Sequence, residues 1–369
     1  MNAQEFLNTA KTFRDEHIRP NAADWEQQRR QPVQALRDAA ARGLFRLEAP
    51  ASAGGYGLGF TTKIQFCEDL SRADMPFIFS LINTQNIAAR LADNPTLSAL
   101  YVEELLQGKL FGATALSEPG VGSDFAAIST SAEKVEGGWA LTGEKAWITN
   151  AEIADLFVVY AQTDKSIGRH GITSFLVDAR KAGFTRAEPF QLIGGHSIGA
   201  GGFKLDKYYV PDDHVLSSPG VGFKDALSGI NGARVYVAAM CVGLVADALD
   251  QAVAYANKRE AFGTSLMSHQ GLRWKLADVS TELAAMRTLT TTAGEMIENE
   301  QDAVMIAAQA KKFATERAMT LIETCMQCMG ANGLREEHGL GRHLAAAKIA
   351  AYTDGSIEMM NERIGAGLK

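Results

Sequence analysis

Apolar residues recur at helical spacing near the start of the chain, with Phe6, Ala10 and Phe13 on one face, and the segments Pro32 to Gly43 and Thr62 to Asp74 repeat the pattern. A glycine-rich interruption, Gly54-Gly55-Tyr56-Gly57-Leu58-Gly59, separates the last two. A dinucleotide-binding fingerprint would need a strand before it and a helix opening on it; here a helix and a loop come first, so a turn is expected. From Phe111 the texture changes to short apolar runs broken by Gly, Asp and Asn, among them Leu156 to Tyr160, Ile172 to Val177 and Phe203 to Pro211. Turn-bounded runs rich in aromatic and β-branched residues predict strands. After Gly222 helical periodicity returns: Leu272, Leu276, Val279, Leu283 and Met286 mark one face, and Ile306, Ala310, Phe313, Arg317, Leu321 and Ile322 run along a further helix. The pattern predicts a mainly α protein with a central β-domain: an N-terminal helical domain over 1–110, a middle β-domain over 111–221 and a C-terminal helical bundle over 222–369. Small-residue runs such as Ala238-Ala239-Met240 and Ala345-Ala346-Ala347 permit close helix approach, within a bundle or against another subunit.

Composition narrows the function classes. With 369 residues, 46% of them hydrophobic, the chain can bury a large core without staples. A net charge of -7 gives no basic face for nucleic acid or an anionic membrane, and the positive runs, Arg29-Arg30 and Lys311-Lys312, are short. The first residues carry acids and a helical period instead of a basic end followed by an apolar run, so no signal peptide is expected. No stretch reads as the ~18 consecutive apolar residues of a membrane span. Four cysteines, Cys67, Cys241, Cys325 and Cys328, are too few for a disulfide framework and point to a reducing, cytoplasmic compartment. Cys325 and Cys328 have C-x-x-C spacing, but no further metal ligands and no βαβ setting accompany them; two packed helical thiols and no metal site are expected.

Five segments carry candidate chemistry. Ala115-Leu116-Ser117-Glu118-Pro119-Gly120-Val121-Gly122-Ser123-Asp124 has glycines and small residues that let a backbone approach a planar ligand. Gly143-Glu144-Lys145-Ala146-Trp147-Ile148-Thr149-Asn150 offers an aromatic face beside a hydroxyl. Asn231-Gly232-Ala233-Arg234 opens a long helix, and Arg259-Glu260-Ala261-Phe262-Gly263 is followed by His269-Gln270. An Arg fork suits a diphosphate. The remaining two are Gln327-Cys328-Met329-Gly330-Ala331-Asn332-Gly333 and Tyr352-Thr353-Asp354-Gly355-Ser356-Ile357-Glu358.

In this order and over nearly the whole chain, the segments resemble the acyl-CoA dehydrogenase family. The resemblance implies an N-terminal helical domain, a middle β-sheet or barrel domain and a C-terminal four-helix bundle, with FAD between the last two and reaching a neighbouring subunit. It implies cofactor contacts from Leu116, Ser117, Gly122, Ser123, Trp147, Ile148 and Thr149, with Trp147 shielding the flavin and Thr149 bonding at its N5. Arg259, Phe262, Gln270, Gln327, Gly330 and Ala331 would serve the FAD of a partner, and Ser356 and Glu358 would also lie near the cofactor. Ser123, Asn231, Arg234 and Gly355 would hold the thioester substrate. Asp354 stands where most members carry the Glu that removes the α-proton, and a homotetramer, or else a dimer, is implied. The activity implied is dehydrogenation of an acyl-CoA to the 2-enoyl thioester, with electrons passed to electron-transferring flavoprotein.

The sequence departs from the family pattern in four places. Ala331 replaces a Gly, and Asp354 is one methylene shorter than Glu, so a substrate must sit differently for it to act as base. A branch of the family places its Glu just before the helix-opening Arg, where this chain has Ala233. Gly194 to Gly202 depart from the Arg, Ser and Thr pattern that most members carry before the strand, which predicts a smoother loop with His196 on the surface. Thr84 and Gln85 either face substrate or pack locally. Two further readings stay open: a carrier-protein-tethered acyl substrate, and a flavin-binding relative without dehydrogenase activity.

Overall fold

The computed structural model describes residues 1–368. Helix α1 (Ala3–Phe13) starts at a capping box in which Asn2 accepts from the Glu5 N–H and the Glu5 side chain answers at the Asn2 N–H. Its expected face is sealed, with Phe6, Ala10 and Phe13 fully buried. Helices α2 (Arg19–Gln28) and α3 (Val33–Ala41) follow, then α4 (Phe60–Ala92), preceded by the glycine-rich turn. Helix α4 runs well past the Asp74 end predicted from periodicity, because the chain kinks there and resumes. Asp74 adopts φ -158°, Pro76 cannot continue the ladder, and the Asp74 carboxylate caps the restart by accepting from the Phe77 N–H at 2.8 Å. Short turns α5 (Pro95–Leu97) and α6 (Glu103–Leu106) close this part.

The middle segment forms one sheet from β1 (Gly112–Ala115), β2 (Ser131–Val135), β3 (Gly138–Ile148), β4 (Leu156–Gln162), β5 (Ile172–Asp178), β6 (Phe184–Arg186) and β7 (Gly201–Pro211). The order is β1-β4-β2-β3-β7-β6, with β5 also pairing β4. Strand β4 is buried on both faces: Leu156, Val158 and Tyr160 pack toward α4 and α6, while Phe157, Val159 and Ala161 join Phe175, Val177, Phe203 and Leu205 inside the curled sheet. The β3–β7 ladder slips twice, between Leu141 and Gly143 and between Lys145 and Ile148. Such bulges bend a strand and re-aim its side chains.

Helices α7 (Gly222–Lys258), α8 (Gln270–Glu298), α9 (Val304–Met329) and α10 (Leu340–Tyr352) make the bundle, with α11 (Ile357–Ala366) after a tight turn. A small hairpin, β8 (Glu260–Ala261) and β9 (Thr264–Ser265), links α7 to α8. Contrary to the expectation that no stretch reads as a membrane span, α7 is long and apolar enough to cross a membrane, with mean hydropathy 1.6 over 18 residues; 78% of that window is buried against the rest of the chain, as in a core helix. Cys325 and Cys328 are buried, unbonded thiols on α9. The buried stripe of α9 differs in part from the predicted one: Ala307, Ala310, Lys311, Ala314 and Ala318 are enclosed, whereas Ile306, Phe313 and Arg317 are only half-buried.

Candidate active site

The turn between α10 and α11 is built from two residues with left-handed backbones, Asp354 at φ 53° and Gly355 at φ 99°. Glycine takes that conformation freely and Asp with modest strain. Arg234, buried on α7, donates from Nε to the Asp354 carbonyl at 3.4 Å and from Nη1 to Asn231 Oδ1 at 2.8 Å. Of the predicted substrate-binding residues, Asn231, Arg234 and Gly355 are therefore assembled at one place with the candidate base Asp354, while Ser123 stands on an exposed loop. Asp354 Oδ2 is enclosed and has no hydrogen-bond partner among the described residues. Burial pushes the carboxyl above its ordinary range, while the Lys311 ammonium and the Arg234 guanidinium pull the other way. Ser356 caps α11, its Oγ accepting from the Met359 N–H at 3.5 Å, and Glu358 is exposed on that first turn.

The two segments around Ser117 and Trp147 are knitted together by a buried ion pair. Lys145 Nζ lies 3.0 Å from Glu118 Oε1 and also donates to the Leu116 carbonyl at 3.0 Å, and the Ala146 N–H donates to the Ser117 carbonyl at 3.1 Å. The Glu118 carboxylate accepts four more bonds, from the N–H and hydroxyl groups of Ser129 and Thr130. Burial opposes its ionisation, but Lys145 and these donors bring it down to about 2. The second bulge leaves Trp147 at φ 61° with its ring 62% exposed, 4.4 Å from the Phe190 ring, so this Trp is not core packing. Ile148 is buried and Thr149 half-buried beside it, and Asn150 anchors the strand end by donating to the Ser80 and Gly112 carbonyls at 2.9 Å each.

Arg259, Phe262 and Gln270 stand exposed at the β8–β9 hairpin and the start of α8, and Gln327, Gly330 and Ala331 are exposed at the end of α9. Phe262 is 99% exposed, which in a single chain serves no packing purpose. A Cβ added at Gly122, Gly263 or Gly330 would meet nothing within 4 Å, so the backbone there is open to a close-lying ligand. An uncovered aromatic ring, open glycine backbone and an exposed guanidinium are the donor set that a flavin with a diphosphate arm requires, and the residues present fit FAD.

One expectation is corrected, and one open alternative is decided. His196 is buried, with its Nδ1 2.9 Å from Glu26 Oε1, and the N–H groups of Gly195 and His196 donate to the same carboxylate. The loop departs from the family pattern, yet Glu26 on α2 ties it down. Thr84 and Gln85 belong to local packing: Thr84 Oγ1 accepts from the Gly112 N–H at 3.2 Å, and Gln85 donates to the Leu44 carbonyl. Sequence reasoning also passed over Lys311, read only as part of a short basic run. The available signal was its position on the alanine face of α9, where a cation needs a buried partner.

The comparisons with known proteins agree along the whole chain. Family matches cover residues 2–109 (acyl-CoA dehydrogenase, N-terminal domain), 113–208 (middle domain) and 220–369 (C-terminal domain). The mitochondrial short-chain specific acyl-CoA dehydrogenase of Homo sapiens is 32% identical over 359 residues, 96% of this chain and 87% of that protein. The structure of butyryl-CoA dehydrogenase from Megasphaera elsdenii superposes with TM-score 0.92 at 29% identity, covering 99% of this chain and 97% of that one. The FAD complex of PigA superposes with TM-score 0.93 at 25% identity, again over 99% and 97%. Fold and site together define an FAD-dependent oxidoreductase. More narrowly, the chain belongs to the acyl-CoA dehydrogenase family.

Proposed function

We propose that this protein dehydrogenates an acyl-CoA thioester between its α- and β-carbons, with Asp354 as the base. The observation that carries the reading is the state of the Asp354 carboxyl: one oxygen is enclosed without a partner, and burial raises its proton affinity. A weakly acidic C–H is best met by a base whose lone pair is uncommitted and whose pKa lies closer to working pH. Arg234 and Asn231 hold the turn that carries the base, and Ser123, on an exposed loop, suits the arm of the thioester. When bound, FAD supplies the two-electron acceptor for the hydrogen leaving the β-carbon. Trp147 offers that cofactor a ring face, Leu116, Ser117, Gly122, Ile148 and Thr149 border it, and Arg259, Phe262, Gln270, Gln327, Gly330 and Ala331 serve the FAD of a neighbouring subunit in a homotetramer. Electron-transferring flavoprotein is the proposed acceptor.

The test is anaerobic bleaching of the bound flavin with straight-chain, branched and alicyclic acyl-CoAs. One class should bleach the wild type, and Asp354→Asn should slow that reaction by about a hundredfold or more. Bleaching by carrier-protein-tethered acyl groups alone would move the substrate to that class. Undiminished bleaching in Asp354→Asn would remove Asp354 as the base.

A further inference from the structure

Lys311 sits in register with Ala307, Ala310, Ala314 and Ala318 on the buried stripe of α9, and its side chain is fully enclosed. An ammonium in such a place is unfavourable unless it is hydrogen-bonded and countercharged. Both needs are met by the turn after α10. Lys311 Nζ donates to the Gly355 carbonyl, and the Asp354 carboxylate is the anion within electrostatic reach. From α7, Arg234 donates to the Asp354 carbonyl. Two successive carbonyls of a left-handed turn are thus each held by a different cation, while Asp354 Oδ2 is left without a hydrogen bond. The cations grip the backbone that carries the carboxylate and leave one carboxylate oxygen free. The other titratable groups facing this space are Tyr236 and Cys241, both on α7, and Arg363 of α11 stands behind Arg234.

We propose that Lys311 is a positioning residue for the reaction: its bond to the Gly355 carbonyl fixes the turn that aims Asp354, and its charge is the countercharge that the buried carboxylate depends on. This rests on Asp354 acting as base. Burial raises the Asp354 carboxyl and the two cations restrain that rise, so deleting one cation drives it further up. Lys311 is itself pulled down to about 8 by burial, against the attraction of Asp354, so its charge fades only on the alkaline side.

The experiment uses the full-length, FAD-loaded protein and follows the Asp354 carboxyl directly, by infrared titration of the band lost in Asp354→Asn. In Lys311→Met the midpoint should rise by about one pH unit or more. Lys311→Gln, which keeps a donor but no charge, should show the same rise, and Lys311→Arg should stay near the wild type. Flavin reduction by the active thioester should be slowed in Lys311→Met by about tenfold or more at pH 6, with Lys311→Arg largely restoring it. Equal midpoints in wild type, Lys311→Met and Lys311→Gln would overturn the proposal. So would loss of folding in both neutral variants with Lys311→Arg intact, which would make the lysine a purely structural cation. A wild type that no thioester bleaches would refute the dehydrogenase reading, while the infrared shift would still be measurable on its own.

Discussion

Glu118 and Lys145 come from different motifs of the sequence, 27 residues apart, and meet with side chains only 2% and 0% exposed. Removing one member of such a pair leaves the other buried without its countercharge, which is far more damaging than replacing both. Lys145→Met should therefore destabilise the protein by about 3 kcal/mol, the low end for broken buried pairs because Ser129 and Thr130 still serve the carboxylate. Urea unfolding of the flavin-loaded protein would measure it, and flavin should be lost more easily because the Leu116 carbonyl loses its donor. Glu118 also fixes the sign of an acid effect. Its folded pKa is depressed, so its contribution is complete above its ordinary 4.5 and disappears as pH falls through about 2. Asp354 shows the opposite arrangement, a carboxyl held in a place that disfavours its charge, which suits its proposed role as base.

At the scale of elements, α4 is where periodicity and structure part. The helix from Thr62 to Asp74 was legible from its apolar spacing; the resumption to Ala92 was not, since it depends on the Asp74 carboxylate capping the next turn. Burial raises the Asp74 carboxyl to about 6, against its bond from the Phe77 N–H and the charge of Arg342. A raised carboxyl stabilises fully below its unfolded pKa near 4 and loses that contribution as pH rises through about 6. Asp74→Asn keeps an acceptor for the Phe77 N–H and removes the buried charge. It should raise the thermal midpoint at pH 8 by several degrees, with the gain shrinking below pH 6. A lower midpoint at pH 8 would mean that the charge is needed by Arg342 or Ser197. Strands β4, β5 and β7 were legible because their apolar runs end at turns, and the turn at Gly54 to Gly59 was legible from its glycines. The candidate site was legible only by motif: Asp354 lies 120 residues from Arg234 and its neighbour Asn231, and Lys311, which donates to the Gly355 carbonyl from an alanine face, carries no motif at all. His196 was misplaced because its partner Glu26 lies 170 residues away.

For the whole molecule, the exposed Phe262 and Leu334, 99% and 76% exposed, lie on the hairpin and the turn beyond α9 that carry the proposed partner-facing residues. If that face is covered by a second copy, Phe262→Asp should shift the sedimentation profile toward smaller species and lower flavin content together. An unchanged profile would place the assembly contact elsewhere. Domain divisions drawn along the chain also conceal how the interior is shared. One continuous core contains Phe6, Phe13 and Trp25 from the first helices together with Val242, Met286, Ile322 and Leu340 from the bundle. The opening helices lay Phe6, Phe13 and Trp25 on Phe66 and Phe77 of α4, and it is α4 that packs on α7 and α8, so the loop that must close to complete this core runs from α4 to the bundle. During synthesis α4 therefore leaves the ribosome well before α7 and α8 exist. Until those helices emerge, α4 presents sticky apolar surface of the kind that chaperones shield.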